Sequence, residues 1–149
     1  MLHDDYICNE QLNQIISVDE VRKVVSKLKN KKSTGIDLIP NEILKREEVE
    51  DLLCALFNSC FNSGLVPSVW VRALVKPIPK GADKDPYIPL NYRGISLLSC
   101  VGKCYSSLLN NRIVGFCNQA DIFADEQNGF RQGRSCEDHI FSLYGTVKN

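Results

Sequence analysis

Between Val49 and Phe61 the apolar side chains fall at Val49, Leu52, Leu53, Leu56, Phe57, Cys60 and Phe61, the spacing of one continuous helical face. A helix with such a stripe draws its stability from what it packs against, so the rest of the chain must supply partners for it. Gly64 is placed to stop it, because glycine takes the left-handed conformation that closes a helix. With 149 residues, 44% hydrophobic and 24% charged, the chain is long enough for one domain with a sizeable core.

The partners are legible on either side. Residues 1–16 read as a loose polar lead-in. Ser17 and Glu20 form a capping-box pattern, and Val18, Val21, Val24, Val25 and Leu28 follow at helical spacing. This helix is expected to end in the basic run Lys27, Lys29, Lys31 and Lys32, where cations suit the helix dipole. A turn over Ser33-Thr34-Gly35-Ile36-Asp37 comes next. Pro40 is expected at the first position of a short helix through Lys45, with Asp37 as its cap.

After Pro67 the texture changes. Val69, Val71, Ala73 and Val75 alternate with other residues and predict a strand, whose far end Pro77 and Pro79 keep out of any sheet centre. A charged, proline-bearing loop from Lys80 to Leu90 leads to a return strand around Tyr92 to Leu97, so the pair predicts a β-hairpin with a long tip. A long helix is expected from about Ser99 to Cys117, with Val101, Cys104, Tyr105, Leu108, Leu109, Ile113 and Phe116 on one face. A last helix begins at Ser135, with Asp138 as a capping-box analogue and Ile140, Phe141, Tyr144 and Val147 as its stripe. This is an α+β pattern with few strands. The final stripe has little sheet to receive it, which predicts an incomplete domain.

Bulk properties exclude several classes. Lys+Arg and Asp+Glu are both 18, so no whole-chain basic field announces a nucleic-acid partner and only local clusters can. No apolar run of about eighteen residues is present, so no membrane partner is expected. Met1 is followed by Leu2, His3, Asp4 and Asp5, the wrong charge for a secretion leader, and an intracellular setting, nuclear or cytoplasmic, is expected. The seven cysteines, Cys8, Cys54, Cys60, Cys100, Cys104, Cys117 and Cys136, are odd in number and lack a CxxC pair. They read as buried reduced thiols rather than disulfides or a zinc site.

Three clusters bear on function, each with two readings. Lys76, Lys80 and Lys84 lie on or near the hairpin's first strand and tip, and Arg93 opens the return strand. Either this is a solvated charged loop, or Lys80 and Arg93 meet one anion such as a triphosphate, as point charge and forked donor. Gly129-Phe130-Arg131-Gln132-Gly133-Arg134-Ser135 is either an ordinary loop and cap or a phosphate-approaching segment in front of a helix N-terminus. It is no P-loop, lacking that spacing. The run Lys27 to Lys32, with Arg22 and Lys23 upstream, is either a solvated helix end or a phosphate track. Acidic residues offer no complete active site. Asp83, Asp85, Asp121, Asp125, Glu126, Glu137 and Asp138 do not end apolar strands, and Ile88 stands where a calcium loop begun at Asp83 needs glycine.

The order of segments resembles the N-terminal half of reverse transcriptases of non-LTR (LINE-like) retrotransposons. The matching stretches are Lys31 to Lys45, Val75-Lys76-Pro77-Ile78-Pro79-Lys80-Gly81, Asn91 to Leu98, Gly102-Lys103, Asn111-Arg112-Ile113 and Gln127 to Ser135. Their co-occurrence in this order covers residues 17–149 as a partial reverse transcriptase domain. Gly94 and Cys136 stand where many relatives have Pro and Thr.

The resemblance implies a helix-rich fingers subdomain with a β-hairpin and the beginning of a right-hand polymerase palm. It implies that Lys80 and Arg93 contact the incoming nucleotide, with Gln127, Gly129 and Phe130 near the nucleotide pocket. Nucleic-acid contacts are implied for Lys31, Lys32, Ser33, Gly35, Arg131 and Arg134. The family's catalytic aspartates follow the last helix seen here, so the chain alone is expected to be inactive and to bind no Mg²⁺, which the complete enzyme uses. RNA template, DNA primer, dNTP and the remainder of the palm are the implied partners. The competing expectations are a non-catalytic RNA-binding remnant and a non-functional gene-model fragment.

Overall fold

The computed structural model describes residues 9–10, 12–81 and 83–147. Met1 to Cys8, and with them His3 and the first half of the expected lead-in, lie outside the described residues, as do Gln11, Ala82, Lys148 and Asn149. The architecture is mixed helix and strand: α1 (Val18–Ser26), α2 (Asn41–Leu44), α3 (Glu47–Ser63), β1 (Leu74–Pro79), β2 (Tyr92–Leu97), α4 (Cys100–Gln119) and α5 (Cys136–Val147). The chain divides into two compact units, Met1–Arg112 and Ile113–Asn149. Among the described residues no helix is long and apolar enough to cross a membrane.

In the first unit the core is built by α1, α3 and α4. Val21, Val24 and Val25 from α1, Leu53, Phe57 and Cys60 from α3, and Val101, Cys104, Tyr105 and Leu108 from α4 are all buried. Ser17 caps α1 as expected: its side chain accepts from the Glu20 N–H while the Glu20 carboxylate accepts from the Ser17 N–H. The helix ends at Ser26, so the lysine run lies beyond it rather than in its last turns. Pro40 is the residue before α2 rather than its first, and Asp37 does not cap the helix: its Oδ1 accepts from Ile39 N–H at 3.4 Å. The expected stripe of α3 is narrower than its sequence suggests. Leu52 is exposed, while Glu50 is buried and bonds Arg22 at 2.9 Å. Gly64 closes α3 at φ 68°, as anticipated.

The end of the lead-in is no loose segment. Ile16 is fully buried, and the Asn58 carboxamide of α3 satisfies both of its backbone groups, accepting from Ile16 N–H at 2.8 Å and donating to Ile16 O at 2.9 Å. An orphaned buried peptide group would be costly; Asn58 satisfies the N–H and shares the carbonyl with the Cys54 thiol, which lies at 3.1 Å.

The strand expected from Val69 starts instead at Leu74. Ser68–Val71 is a 3-10 turn, and its purpose is Trp70. The indole packs in a tilted cluster with Phe57 (6.1 Å between centroids) and Tyr105 (5.6 Å). Gly102 of α4 makes room for it, since a Cβ there would come within 2.9 Å of the indole. Val69 and Val71 are therefore part of a turn around an aromatic anchor, while Val75 lies in β1 as expected.

β1 and β2 form the expected antiparallel hairpin, pairing Leu74 with Leu97 through Pro79 with Tyr92. Lys80 N–H donates to Asn91 O at 2.8 Å, which fixes the phase of the ladder. Antiparallel pairs alternate, so Ile78:Arg93 and Lys76:Ile95 are hydrogen-bonded pairs while Pro77:Gly94 and Pro79:Tyr92 are not. Both prolines thus sit where the partner strand needs no N–H.

In the second unit Ser135 precedes α5, its N–H donating to the Asp138 carboxylate at 2.6 Å, the anticipated capping analogue. No residue of α5 is buried, and Ile140, Phe141 and Val147 are exposed.

Candidate functional site

The pleat of the hairpin decides which side chains share a face. Residues two apart on a strand point the same way, and cross-strand partners face together. The register therefore places Lys76, Ile78 and Lys80 on one face with Asn91, Arg93 and Ile95. Arg93 lies opposite Ile78, and Lys80, the bend residue just past β1, continues the ladder by its bond to Asn91, so the two cations are diagonal neighbours along that continuation. Lys76 is the other diagonal neighbour of Arg93. All three are exposed, and among the described residues none meets a carboxylate. The opposite face carries Pro77, Pro79, Gly94 and Tyr92.

The tip beyond Lys80 is held by its own polar groups. Asp85 Oδ1 accepts from Tyr87 N–H (2.8 Å), Asn91 Nδ2 donates to Asp85 O (2.9 Å), and the Tyr92 hydroxyl donates to Pro86 O (3.0 Å). Asp85, Pro86, Asn91 and Tyr92 with Pro79, Gly81 and Lys84 line a cleft of about 250 Å³. Lys84 pairs with its neighbour Asp83, at 3.6 Å.

The turn after α1 is built around a close approach. Gly35 is buried, and a Cβ on it would stand 2.5 Å from the backbone carbon of Leu98 and nitrogen of Ser99. The position is glycine because main chain packs on main chain there. Lys31 adopts φ 55°, with its N–H held by the Glu42 carboxylate, which lowers the Glu42 pKa. Asn41 Nδ2 donates to Lys29 O at 2.8 Å, and Lys45 Nζ to Asn30 Oδ1 at 2.7 Å. The side chains of Lys32 and Ser33 remain exposed.

In the second unit Phe130 adopts φ 60° and presents its whole ring to solvent. Arg131 is partly engaged: it donates to Ala124 O at 3.0 Å and lies 5.3 Å from the Phe123 ring centre. Arg131, Arg134, Gln132, Phe130 and Phe123 contribute to the lining of a hollow of about 110 Å³. Gln127 and Gly129 are exposed, whereas Asn128 between them is buried with its Oδ1 unpartnered.

Among the described residues no group of three or more His, Cys, Asp or Glu side chains converges to hold a metal ion. Three of the thiols are held in the protonated, less reactive form. Burial raises the Cys104 pKa to about 11, and burial also pushes Cys54 and Cys60 upward. Cys136 differs from the expectation of buried thiols in being exposed, and Cys8 lies outside the described residues.

Sequence reasoning named Arg112 only as part of a matching stretch, and the structure gives it a structural role. It forms a fork-to-fork pair with Glu20 and donates to the carbonyls of Leu12, Gln14 and Ile15. Nothing in local periodicity signals such a long-range clamp.

No protein-family model matches the chain. It is 35% identical over 141 residues to the putative 115 kDa protein in the type-1 retrotransposable element R1DM of Drosophila melanogaster, covering 91% of this chain and 14% of the relative. It is 34% identical over 130 residues to the probable RNA-directed DNA polymerase from transposon BS of the same fly, covering 86% and 14%. It is also 30% identical over 118 residues to the RNA-directed DNA polymerase from mobile element jockey of that fly, covering 78% and 13%. The chain thus spans about one seventh of the length of the curated relatives it matches, 13% to 14% in these three.

Proposed function

The chain belongs to the reverse transcriptases of non-LTR, LINE-like retrotransposons, and on that premise we propose that it is the nucleotide- and template-contacting fingers, with the start of the palm, of an RNA-directed DNA polymerase. The observation that carries this reading is the register that gives Lys80 and Arg93 one open face of the hairpin. In the reaction a primer 3′-hydroxyl attacks the α-phosphate of a dNTP and diphosphate leaves. Negative charge grows on the leaving phosphates. The Lys80 ammonium and the Arg93 guanidinium neutralise it, the first as a point charge and the second through paired N–H donors. The tip bonds from Asp85, Asn91 and Tyr92 limit how far Lys80 can wander, which favours a preset geometry.

Template RNA is assigned to the exposed Lys32 and Ser33 of the first unit; in the second unit Arg134 is assigned a nucleic-acid contact of its own. Phe130, with its ring free, suits stacking on a base. The described carboxylates do not fit the Mg²⁺ cage that the complete enzyme implies. No step is assigned to a metal here, and the metal-holding aspartates are assigned to the part of the relatives outside the matched stretch.

The experiment is steady-state kinetics on a longer polymerase that contains this segment. Lys80→Ala and Arg93→Ala are expected to raise the KM for dNTP at least tenfold while RNA affinity is retained. Unchanged dNTP kinetics in both would overturn the role. The 149-residue chain alone is expected to incorporate no nucleotide in primer extension.

A further inference from the structure

A second cationic surface, sharing no lining residue with the hairpin, lies along the seam where α1 meets α4. An open groove of about 590 Å³ is lined by Val24, Lys27 and Leu28 on one side and by Ser106, Ser107, Asn110 and Asn111 on the other. A smaller hollow of about 90 Å³ shares Val24 and Asn111 and continues it to Lys23 and Glu20.

The local charge is positive although the chain as a whole is neutral. Around α1 the acids are paired, Asp19 and Glu50 sharing Arg22 and Glu20 held by Arg112, so with Lys23 and Lys27 four cations face three carboxylates. Lys23 and Lys27 have no acidic partner among the described residues. The sequence of α4 contains no Asp or Glu at all. What it offers the groove is two hydroxyls and two carboxamides, all exposed.

Hydroxyls, amides and lysines are the groups that grip phosphate and sugar oxygens without reading sequence. An open trough with a lysine, hydroxyls and carboxamides set among the apolar Val24 and Leu28 suits an extended polyanion, whereas a small ligand wants a closed pocket. We propose that the α1–α4 seam is a backbone track for single-stranded RNA, separate from the triphosphate face of the hairpin. The choice of RNA as the polyanion rests on the polymerase reading above. The positive groove does not.

The test is fluorescence anisotropy of the whole chain with a labelled twelve-nucleotide single-stranded RNA of mixed sequence, over a range of salt. Lys23→Ala with Lys27→Ala is expected to weaken binding at least fivefold and to reduce the salt slope by about 1.4, near 0.7 per lost phosphate contact. Asn110→Asp, a same-size change that places an anion in the trough, is expected to weaken binding by a similar factor. All three positions are exposed, so folding, checked by circular dichroism, should be unaffected. Lys80→Ala with Arg93→Ala should leave this RNA binding within twofold. RNA affinity unchanged in the groove variants overturns the track. Competition by poly-glutamate as effective as by RNA also overturns it, since the groove would then select charge alone. Loss of dNTP use in the hairpin variants with intact RNA binding would leave the track standing whatever became of the groove variants' kinetics.

Discussion

Arg112 and Glu20, 92 residues apart in sequence, form a two-pronged ion pair, with Nε to Oε1 at 2.7 Å and Nη2 to Oε2 at 2.9 Å. The same guanidinium lies 5.5 Å from the Phe61 ring centre and bonds three carbonyls of the segment before α1. One side chain therefore fastens α4 to α1, α3 and the entering chain. Its hydrogen bonds, more than burial opposes them, hold the Glu20 pKa down at about 2 from an ordinary 4.5.

Removing the clamp should destabilise the fold strongly. Arg112→Ala leaves Glu20 short of a partner and frees three carbonyls, for an expected loss on the order of 2–4 kcal/mol. Arg112→Lys should recover only part of it, because an ammonium cannot reproduce the fork. Urea unfolding with a constant slope is the measurement. The difference between wild type and Arg112→Ala should also depend on pH. A depressed carboxyl pKa stabilises the fold fully above pH 4.5, and that contribution disappears as the pH falls toward about 2. A difference independent of pH across that window would show that Glu20 is not the partner that matters.

Gly35 and Gly102 are both close-approach glycines, and they should respond differently to the same methyl group. At Gly35 the obstruction is the Leu98–Ser99 backbone at 2.5 Å, which has nowhere to go. At Gly102 it is the Trp70 side chain at 2.9 Å, which can tilt. Gly35→Ala is expected to cost about 3 kcal/mol, and Gly102→Ala about 1 kcal/mol with a shifted tryptophan emission. Equal losses in thermal or urea unfolding would contradict this distinction.

Asn58 should behave as a core residue despite its polarity. Asn58→Ala leaves the buried Ile16 peptide with an unsatisfied N–H, which is expected to cost about 1–3 kcal/mol. Hydrogen exchange should locate the damage, with protection falling first at Ile16. An Ile16 amide that exchanges as slowly as before would remove Asn58 from this role.

What the sequence reveals and what it hides divides along physical lines. The Ser17–Glu20 capping box, Gly64 and the hairpin are set by residues close in sequence or by strand periodicity, so local pattern was enough to find them. Val69 and Val71 misled because alternation cannot tell a strand from a turn that points one large side chain inward, and Trp70 was that side chain. Leu52 sits on the α3 stripe but is exposed, while the charged Glu50 is buried by its contact with Arg22. Such outcomes depend on partners distant in sequence. At the candidate site, the cation types at positions 76, 80 and 93 were legible, but their sharing of one face required the register. Lys23 and Lys27 were legible as a candidate phosphate track, but the groove they share with Ser106 and Asn110 was not, because it exists only where two helices meet.

The central claim is that the hairpin face receives a nucleotide triphosphate, and backbone-amide NMR of the chain titrated with dTTP, then with thymidine, tests it most directly. The account predicts saturable shifts with dTTP clustered at Lys76, Lys80 and Arg93, absent with thymidine and abolished by Arg93→Ala. Shifts that leave those three amides untouched, or that thymidine reproduces, would contradict it.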